Sequence, residues 1–191
     1  LHAQPVFVGL PVPGTEFKIC DFETGALKPL GEDGEIRVRT PSLLKGYWNR
    51  PEATAEAIVD GWFHTGDGGT IEDGYLTISD RKKDVIISGG ENVSSIETED
   101  ALFSHPAVAE VAVIGVPDEK WGELILALVV LAPGATATED ELRDHCRTKL
   151  AGYKVPKRIE FRDELARTAT GKLQKFKLRA PYWEGQERQV N

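Results

Sequence analysis

Residues 80–95 read DRKKDVIISGGENVSS, and the pattern of the chain changes inside this stretch. Before it, short alternating runs are punctuated by turns. Phe17-Lys18-Ile19, Glu35-Ile36-Arg37-Val38-Arg39 and Tyr75-Leu76-Thr77-Ile78 alternate with period two, the mark of half-buried strands. Glu23-Thr24-Gly25, Glu32-Asp33-Gly34 and Glu72-Asp73-Gly74 are the turn signals, and Asp-Gly between alternating apolar residues is the strong short hairpin signal. Asn49 and Glu52 have the spacing of a capping pair, and Pro51 suits a first helical turn, so a short helix is expected among the hairpins.

After Arg81 the elements lengthen. Val85-Ile86-Ile87 is a strand candidate, followed by the flexible Ser88-Gly89-Gly90. Ser94 and Glu97 have capping-box spacing, and Ile96, Leu102 and Phe103 can share a face, which predicts a helix ending near His105, before Pro106. Val108 to Val116 is an apolar strand, and Leu124 to Ala132 (LILALVVLA) is another, closed by Pro133-Gly134. The latter is too short to span a bilayer, which takes about 20 residues. Thr138 and Glu141 form the clearest capping box; Leu142, Cys146 and Leu150 make one stripe, and Gly152 follows the helix end. Lys157 to Arg162 alternates again. This order predicts an α+β architecture with helices on one face of a sheet. Two units are expected: residues 1–82, a small antiparallel β-barrel-like subdomain, and residues 83–191, a small α+β domain. The charged run 80–84 between them is a solvated turn or a hinge.

Composition narrows the function. The apolar fraction is 40% and the charged fraction 28%, ordinary for a soluble globular chain. A net charge of −8 argues against a nucleic-acid polymer as partner. Cys20 and Cys146 read as reduced structural thiols of a cytoplasmic protein, and only the adjacent His145-Cys146 pair approaches metal-ligand spacing, so no metal site is expected. No signal peptide or transmembrane segment is visible. The 191 residues contain no methionine, which predicts a piece of a longer chain. Nothing in the pattern sets an oligomeric state.

Arg167 to Lys175 reads RTATGKLQK. A Walker loop needs a glycine five residues before its Gly-Lys and a Ser or Thr after it. Ala166 and Leu173 stand at those places, so this is no P-loop, though a lysine beside a glycine on a loop can still be offered to an anion. Four stretches are now in register: Lys45-Gly46-Tyr47-Trp48 with Pro51-Glu52-Ala53-Thr54; Gly61-Trp62-Phe63-His64-Thr65-Gly66-Asp67; Asp80 through Gly90; and Thr168 to Lys172. Together they resemble the C-terminal part of adenylate-forming enzymes, the superfamily of acyl-CoA synthetases, beetle luciferases and peptide-synthetase adenylation domains. DRKKDVIISGGENVSS looks most like carboxylic-acid:CoA ligases, including those for fatty acids.

The resemblance implies that residues 1–82 are the last subdomain of an N-terminal domain and residues 83–191 a mobile C-terminal domain. It implies an AMP-forming ligase acting in two steps. A carboxylic acid attacks the α-phosphate of ATP, with Mg²⁺, giving acyl-adenylate and pyrophosphate; the thiol of coenzyme A then displaces AMP. Asp67 is similar to the residue that binds the ribose hydroxyls, and a carboxylate with two acceptor oxygens suits that diol. Its plainer reading is a turn Asp capping local backbone. Arg81 matches a nucleotide-contacting arginine, Lys83 the hinge, and Gly89 and Gly90 a loop that approaches the pantetheine arm. Lys172 matches the catalytic lysine that bridges carboxylate and α-phosphate. Lys154, Lys157 and Arg158 form a small basic cluster that can meet coenzyme A phosphates or simply be solvated. Trp48, Trp62, Trp121 and Trp183 are expected to be packing residues. Two departures stand out: Ala166 occupies a place where relatives often carry proline, and Thr98 one often apolar. The phosphate loop and the acyl pocket are absent from the chain, so it is expected to be inactive alone. The alternatives are a non-catalytic binding module of the same fold, or an adenylation domain that loads a carrier protein.

Overall fold

The computed structural model describes residues 7–185. Internal contacts divide the chain into two units, Leu1–Lys83 and Asp84–Asn191. The first is built from β1 (Phe7–Gly9), β2 (Glu16–Cys20), β3 (Gly34–Arg39), α1 (Pro51–Ala57), β4 (Ile58–Val59), β5 (Trp62–Glu72) and β6 (Tyr75–Arg81). The strands pair antiparallel in the order β1-β6-β5-β3-β2, with β4 against β5. The β5–β6 turn is the one its Asp-Gly pair predicts: Asp73 and Gly74 both take positive φ, 50° and 83°, which matches the strand twist.

The barrel expectation is corrected in one respect. Among the described residues this is an open sheet, with β1 and β2 as its two ends. Its core is a cluster of Ile19, Ile36 and Leu76, backed by Phe17, Val38 and Ile71. So small a set covers one face; it does not fill the interior of a closed barrel. The Asn49–Glu52 capping pair does not form. Asn49 has φ 52°, Arg50 is the N-cap without a side-chain cap, and Pro51 opens the helix. Thr54 holds the turn instead: its hydroxyl donates to the Arg50 carbonyl (2.8 Å) and accepts from the Tyr47 amide (2.9 Å).

The second unit contains β7 (Ile86–Ser88), β8 (Glu91–Val93), α2 (Ser95–Phe103), β9 (Val108–Asp118), β10 (Gly122–Leu131), α3 (Glu139–Arg147), β11 (Arg158–Phe161) and α4 (Lys175–Arg179). Strand β10 is its centre. It pairs antiparallel with β9 along its length, parallel with β11, and with β7 at Gly122. Its residues alternate between two dry faces. Ile125, Ala127 and Val129 join Leu102, Leu142, Cys146 and Ile159 on one side. Leu126 and Leu128 join Ala112, Ile114, Val116 and Leu165 on the other. This explains the unbroken apolar run: a strand buried on both faces does not alternate with polar residues. It also corrects the expectation of helices on one face. While α2 and α3 cover the first face, the second is covered by Leu165, Leu173, Leu178 and Tyr182.

Helix α2 turns a different side inward than expected. Ser95, Thr98, Ala101 and Leu102 are buried, whereas Phe103 is 57% exposed. Three small residues let the helix lie close to the sheet, and the polar ones are satisfied. The Thr98 hydroxyl donates to the Lys154 carbonyl (3.1 Å), which satisfies it where it is buried. Ser94 caps α2 by accepting from the Glu97 amide. The Thr138–Glu141 capping box of α3 is complete, and Leu142 and Cys146 are buried as its stripe predicts. Ile125→Ala should lower stability by about 2–5 kcal/mol through the cavity it leaves. Thr138→Ala should cost only about 1 kcal/mol through the lost cap. Urea unfolding of the two variants measures both.

Candidate functional site

In the first unit, Thr65-Gly66-Asp67 lies within β5, not in a turn at its end. The Thr65 hydroxyl donates to the Ile36 carbonyl (2.6 Å) and accepts from the Asp67 amide (3.1 Å). Gly66, at φ 71°, breaks the strand geometry, and its carbonyl receives the Lys82 amide (2.8 Å). The result presents Asp67 opposite Arg81 in the β5–β6 register. Arg81 Nε donates to Asp67 Oδ1 at 3.1 Å. The second carboxylate oxygen has no partner among the described residues, and the Arg81 side chain is 72% exposed. The carboxylate thus pairs with a guanidinium, and it is the Thr65 hydroxyl that accepts from the local backbone. One carboxylate oxygen is held by a cation and the other can still accept hydrogen bonds.

The charged run that follows is anchored on either side of Lys83. Asp80 is buried and accepts from the Arg81 amide (2.7 Å). Asp84 pairs with Arg179 at 2.7 Å, both side chains largely buried. Lys83 itself is exposed.

In the second unit, Gly89 and Gly90 form the tip between β7 and β8, with φ 63° and 84°. The Gly89 amide donates to the Trp121 carbonyl (2.8 Å). A Cβ on Gly89 would sit 2.8 Å from the Trp121 ring, whereas one on Gly90 would meet nothing within 4 Å. Gly89 is therefore required by packing, and Gly90 offers an open backbone face. The buried Glu123 supports the same loop by accepting from the Ile87 amide (3.2 Å). Neither Trp121 nor Glu123 is identifiable from spacing, because both act across strands far apart in sequence.

Lys172 sits in a short hairpin closed by an Arg167–Leu173 bridge. It is exposed, and its ammonium has no partner among the described residues. Its neighbour Lys175 differs, donating to Ser95 (2.6 Å) and pairing with Glu99 (2.7 Å) in a site where it is 12% exposed. The basic cluster is less uniform than its sequence implies. Lys154 pairs with Glu97 (2.5 Å) and Arg158 with Glu160 (2.5 Å), while Lys157 is exposed. Among the tryptophans, Trp183 packs and donates to the Gly115 carbonyl (3.0 Å). Lys18 and Arg39 both lie against the Trp62 ring, 4.1 and 4.6 Å from its centroid. Trp48 is 91% exposed, against the packing expectation.

Among the described residues no group of three or more His, Cys, Asp or Glu is arranged to hold a metal ion, and no helix is long and apolar enough to cross a membrane.

Residues 97–172 match the AMP-binding enzyme C-terminal domain and residues 2–48 the AMP-binding enzyme family. The chain belongs to the adenylate-forming, AMP-binding enzymes. The relatives it matches include acyl-CoA synthetases. It is 51% identical over 172 residues to a feruloyl-CoA synthase of Amycolatopsis sp., covering 90% of this chain and 35% of that protein. It is 49% identical over 176 residues to a long-chain-fatty-acid–CoA ligase of Bacillus subtilis (strain 168), covering 92% and 31%. ATP-bound MatB from Rhodopseudomonas palustris superimposes with a TM-score of 0.87 at 42% identity, over 92% of this chain and 35% of that one. The chain thus spans about a third of the length of these relatives, as the 35% and 31% coverages state.

Both cysteines are buried and free. Burial pushes the Cys146 thiol up to about 11, so it stays protonated and unreactive at neutral pH. Ellman's reagent is expected to label neither Cys20 nor Cys146 in the native chain and both in guanidinium.

Proposed function

We propose that the whole protein is an AMP-forming carboxylic-acid:CoA ligase that activates its acid as an acyl-adenylate and passes it to a thiol, and that this chain supplies part of that site. Two observations, one in each unit, support the reading: an Asp67–Arg81 pair whose second carboxylate oxygen has no partner among the described residues, and an exposed Lys172 whose ammonium has none among them either. Asp67 accepts from the ribose hydroxyls, and Arg81 holds that carboxylate while facing the nucleotide's negative charge. Lys172 donates to the oxygens between the acyl carboxylate and the α-phosphate, where charge builds as the bond forms. A lysine suits this task because its point charge sits on a long flexible stem.

Lys83 is the hinge between residues 1–82 and 83–191 in this reading, since its backbone lies between two anchored neighbours. Gly90 approaches the pantetheine arm of coenzyme A through its open backbone face, and Gly89 shapes that loop. Lys157 is the better phosphate contact of the basic cluster, because Lys154 and Arg158 already have carboxylate partners. Mg²⁺ accompanies ATP in this chemistry, but the described carboxylates do not fit an ion site, and no step is assigned to it. A cytoplasmic location accords with the buried free thiols.

In the full-length enzyme, Lys172→Ala is expected to lower adenylation by about 10²–10³-fold, the usual cost of one preorganised donor. Thioester formation from a preformed acyl-adenylate should be largely spared. ATP–pyrophosphate exchange and single-turnover transfer to coenzyme A measure the two steps separately. Equal loss in both steps would count against the assignment, and transfer only to a carrier protein would replace coenzyme A as acceptor. Asp67→Asn should raise KM for ATP far more than it changes the KM for the acid, read from initial rates.

A further inference from the structure

Besides the packing of Leu165 and Leu173, one polar side chain ties the Lys172 hairpin to the sheet. Arg167 donates from Nε (3.1 Å) and Nη2 (2.6 Å) to Glu110 Oε2, and from Nη1 (2.7 Å) to the Gly171 carbonyl. That carbonyl belongs to the peptide that leads into Lys172. Glu110 stands on β9, opposite Val130 of β10. A single planar guanidinium therefore ties the peptide before Lys172 to the central sheet. We propose that Arg167, oriented by Glu110, is the positioning residue for Lys172. The proposal rests on the reading of Lys172 given above.

The rest of the hairpin explains why such a tie is needed. The Thr168 amide donates to the Lys172 carbonyl (2.8 Å), the Gly171 amide to the Thr168 carbonyl (2.9 Å), and the Lys172 amide to the Thr168 hydroxyl (3.0 Å). These bonds close the loop on itself but do not attach it to the sheet. Gly171, at φ 84° and with open space where a Cβ would be, puts no side chain against the 171–172 peptide, whose bond within the loop is the one from the Lys172 amide to the Thr168 hydroxyl. The Arg167 fork adds a tie to the other end of that peptide, reaching two acceptors at fixed angles, which a lysine ammonium on a flexible stem does not reproduce. The Arg167–Glu110 pair is itself partly solvated, with side chains 42% and 37% exposed. Pairs of that kind contribute little to stability. What it fixes is direction, and a cation displaced by about 1 Å from its productive place loses much of its effect.

The test uses the full-length enzyme with Arg167→Gln, Arg167→Lys and Glu110→Gln, in both half-reactions. Arg167→Gln is expected to lower the kcat of adenylation about tenfold with little change in KM for ATP, and to leave transfer from preformed acyl-adenylate unchanged. Glu110→Gln should give a smaller loss confined to the same step, and Arg167→Lys should not rescue. On the 191-residue chain, amide hydrogen exchange at Gly171 and Lys172 should speed up in Arg167→Gln without a fall in melting temperature. Unchanged exchange, undiminished adenylation, or equal loss in both half-reactions with a lowered melting temperature would each overturn the proposal. If Lys172→Ala adenylates normally, the functional reading fails instead, and the exchange measurement still decides whether Arg167 orders the loop.

Discussion

The second unit depends on β10 being dry on both faces. An isolated hairpin of β9 and β10 would expose two apolar surfaces, and each must be covered. One cover is conventional: α2 and α3 lay small and aliphatic side chains over Ile125, Ala127 and Val129. The other is assembled from loop residues and the short C-terminal helical stretch: Leu165 and Leu173, with Leu178 of α4 and Tyr182 just after it, seal Leu126, Leu128 and Ile114. Burying an aliphatic side chain contributes roughly 1.5–3 kcal/mol, enough to fix the path of that segment. Its path places Lys172. Leu165 and Leu173 are pinned in the same core, so the residues between them must leave the sheet and return, and the lysine beside Leu173 is presented outward.

The sequence carries the first cover plainly and the second poorly, for a physical reason. Capping boxes, Asp-Gly turns and helical stripes are local codes. Thr138, Glu141, Leu142 and Cys146 could be placed from spacing alone, as could the Asp73-Gly74 turn, because the residues that interact are close in the chain. The second face has no local code. Leu165, Leu173, Leu178 and Tyr182 follow neither a period of two nor one of 3.6, and only the unbroken LILALVVLA run hints that a second cover must exist. Phe103 misleads in the opposite direction. It fits a helical stripe, but the close approach of α2 favours Ser95, Thr98 and Ala101 on the inner side.

The same distinction separates what was legible at the site. Asp67, Arg81, Gly89, Gly90 and Lys172 were singled out because they lie in compact motifs that resemble a known family. Their supports were not visible. Arg167 and Glu110, Gly89 and Trp121, Ile87 and Glu123, and Asp84 and Arg179 meet across the sheet or from opposite ends of the unit. No spacing rule joins such pairs, since the fold alone brings them together. The basic cluster shows the cost of reading charge without partners: Lys154 and Arg158 look like free cations in the chain and are ion-paired in the fold.

Three lysines near the C-terminus make the point most sharply. Lys172, Lys175 and Lys177 are equivalent by composition. Lys175 begins α4 and reaches inward to Ser95 and Glu99, the latter also accepting the Val113 amide (2.7 Å), so its charge is spent on joining α4 to α2 and β9. Lys177 lies in the last turn of α4, where a cation complements the carbonyl end of the helix. Lys172 has neither role: it precedes the helix and sits on a hairpin whose backbone bonds are already satisfied. Among the described residues its ammonium has no partner, so this long cationic side chain gains nothing for stability there. That is the arrangement the proposed role asks for, in which a donor meets a transient negative charge and then releases it.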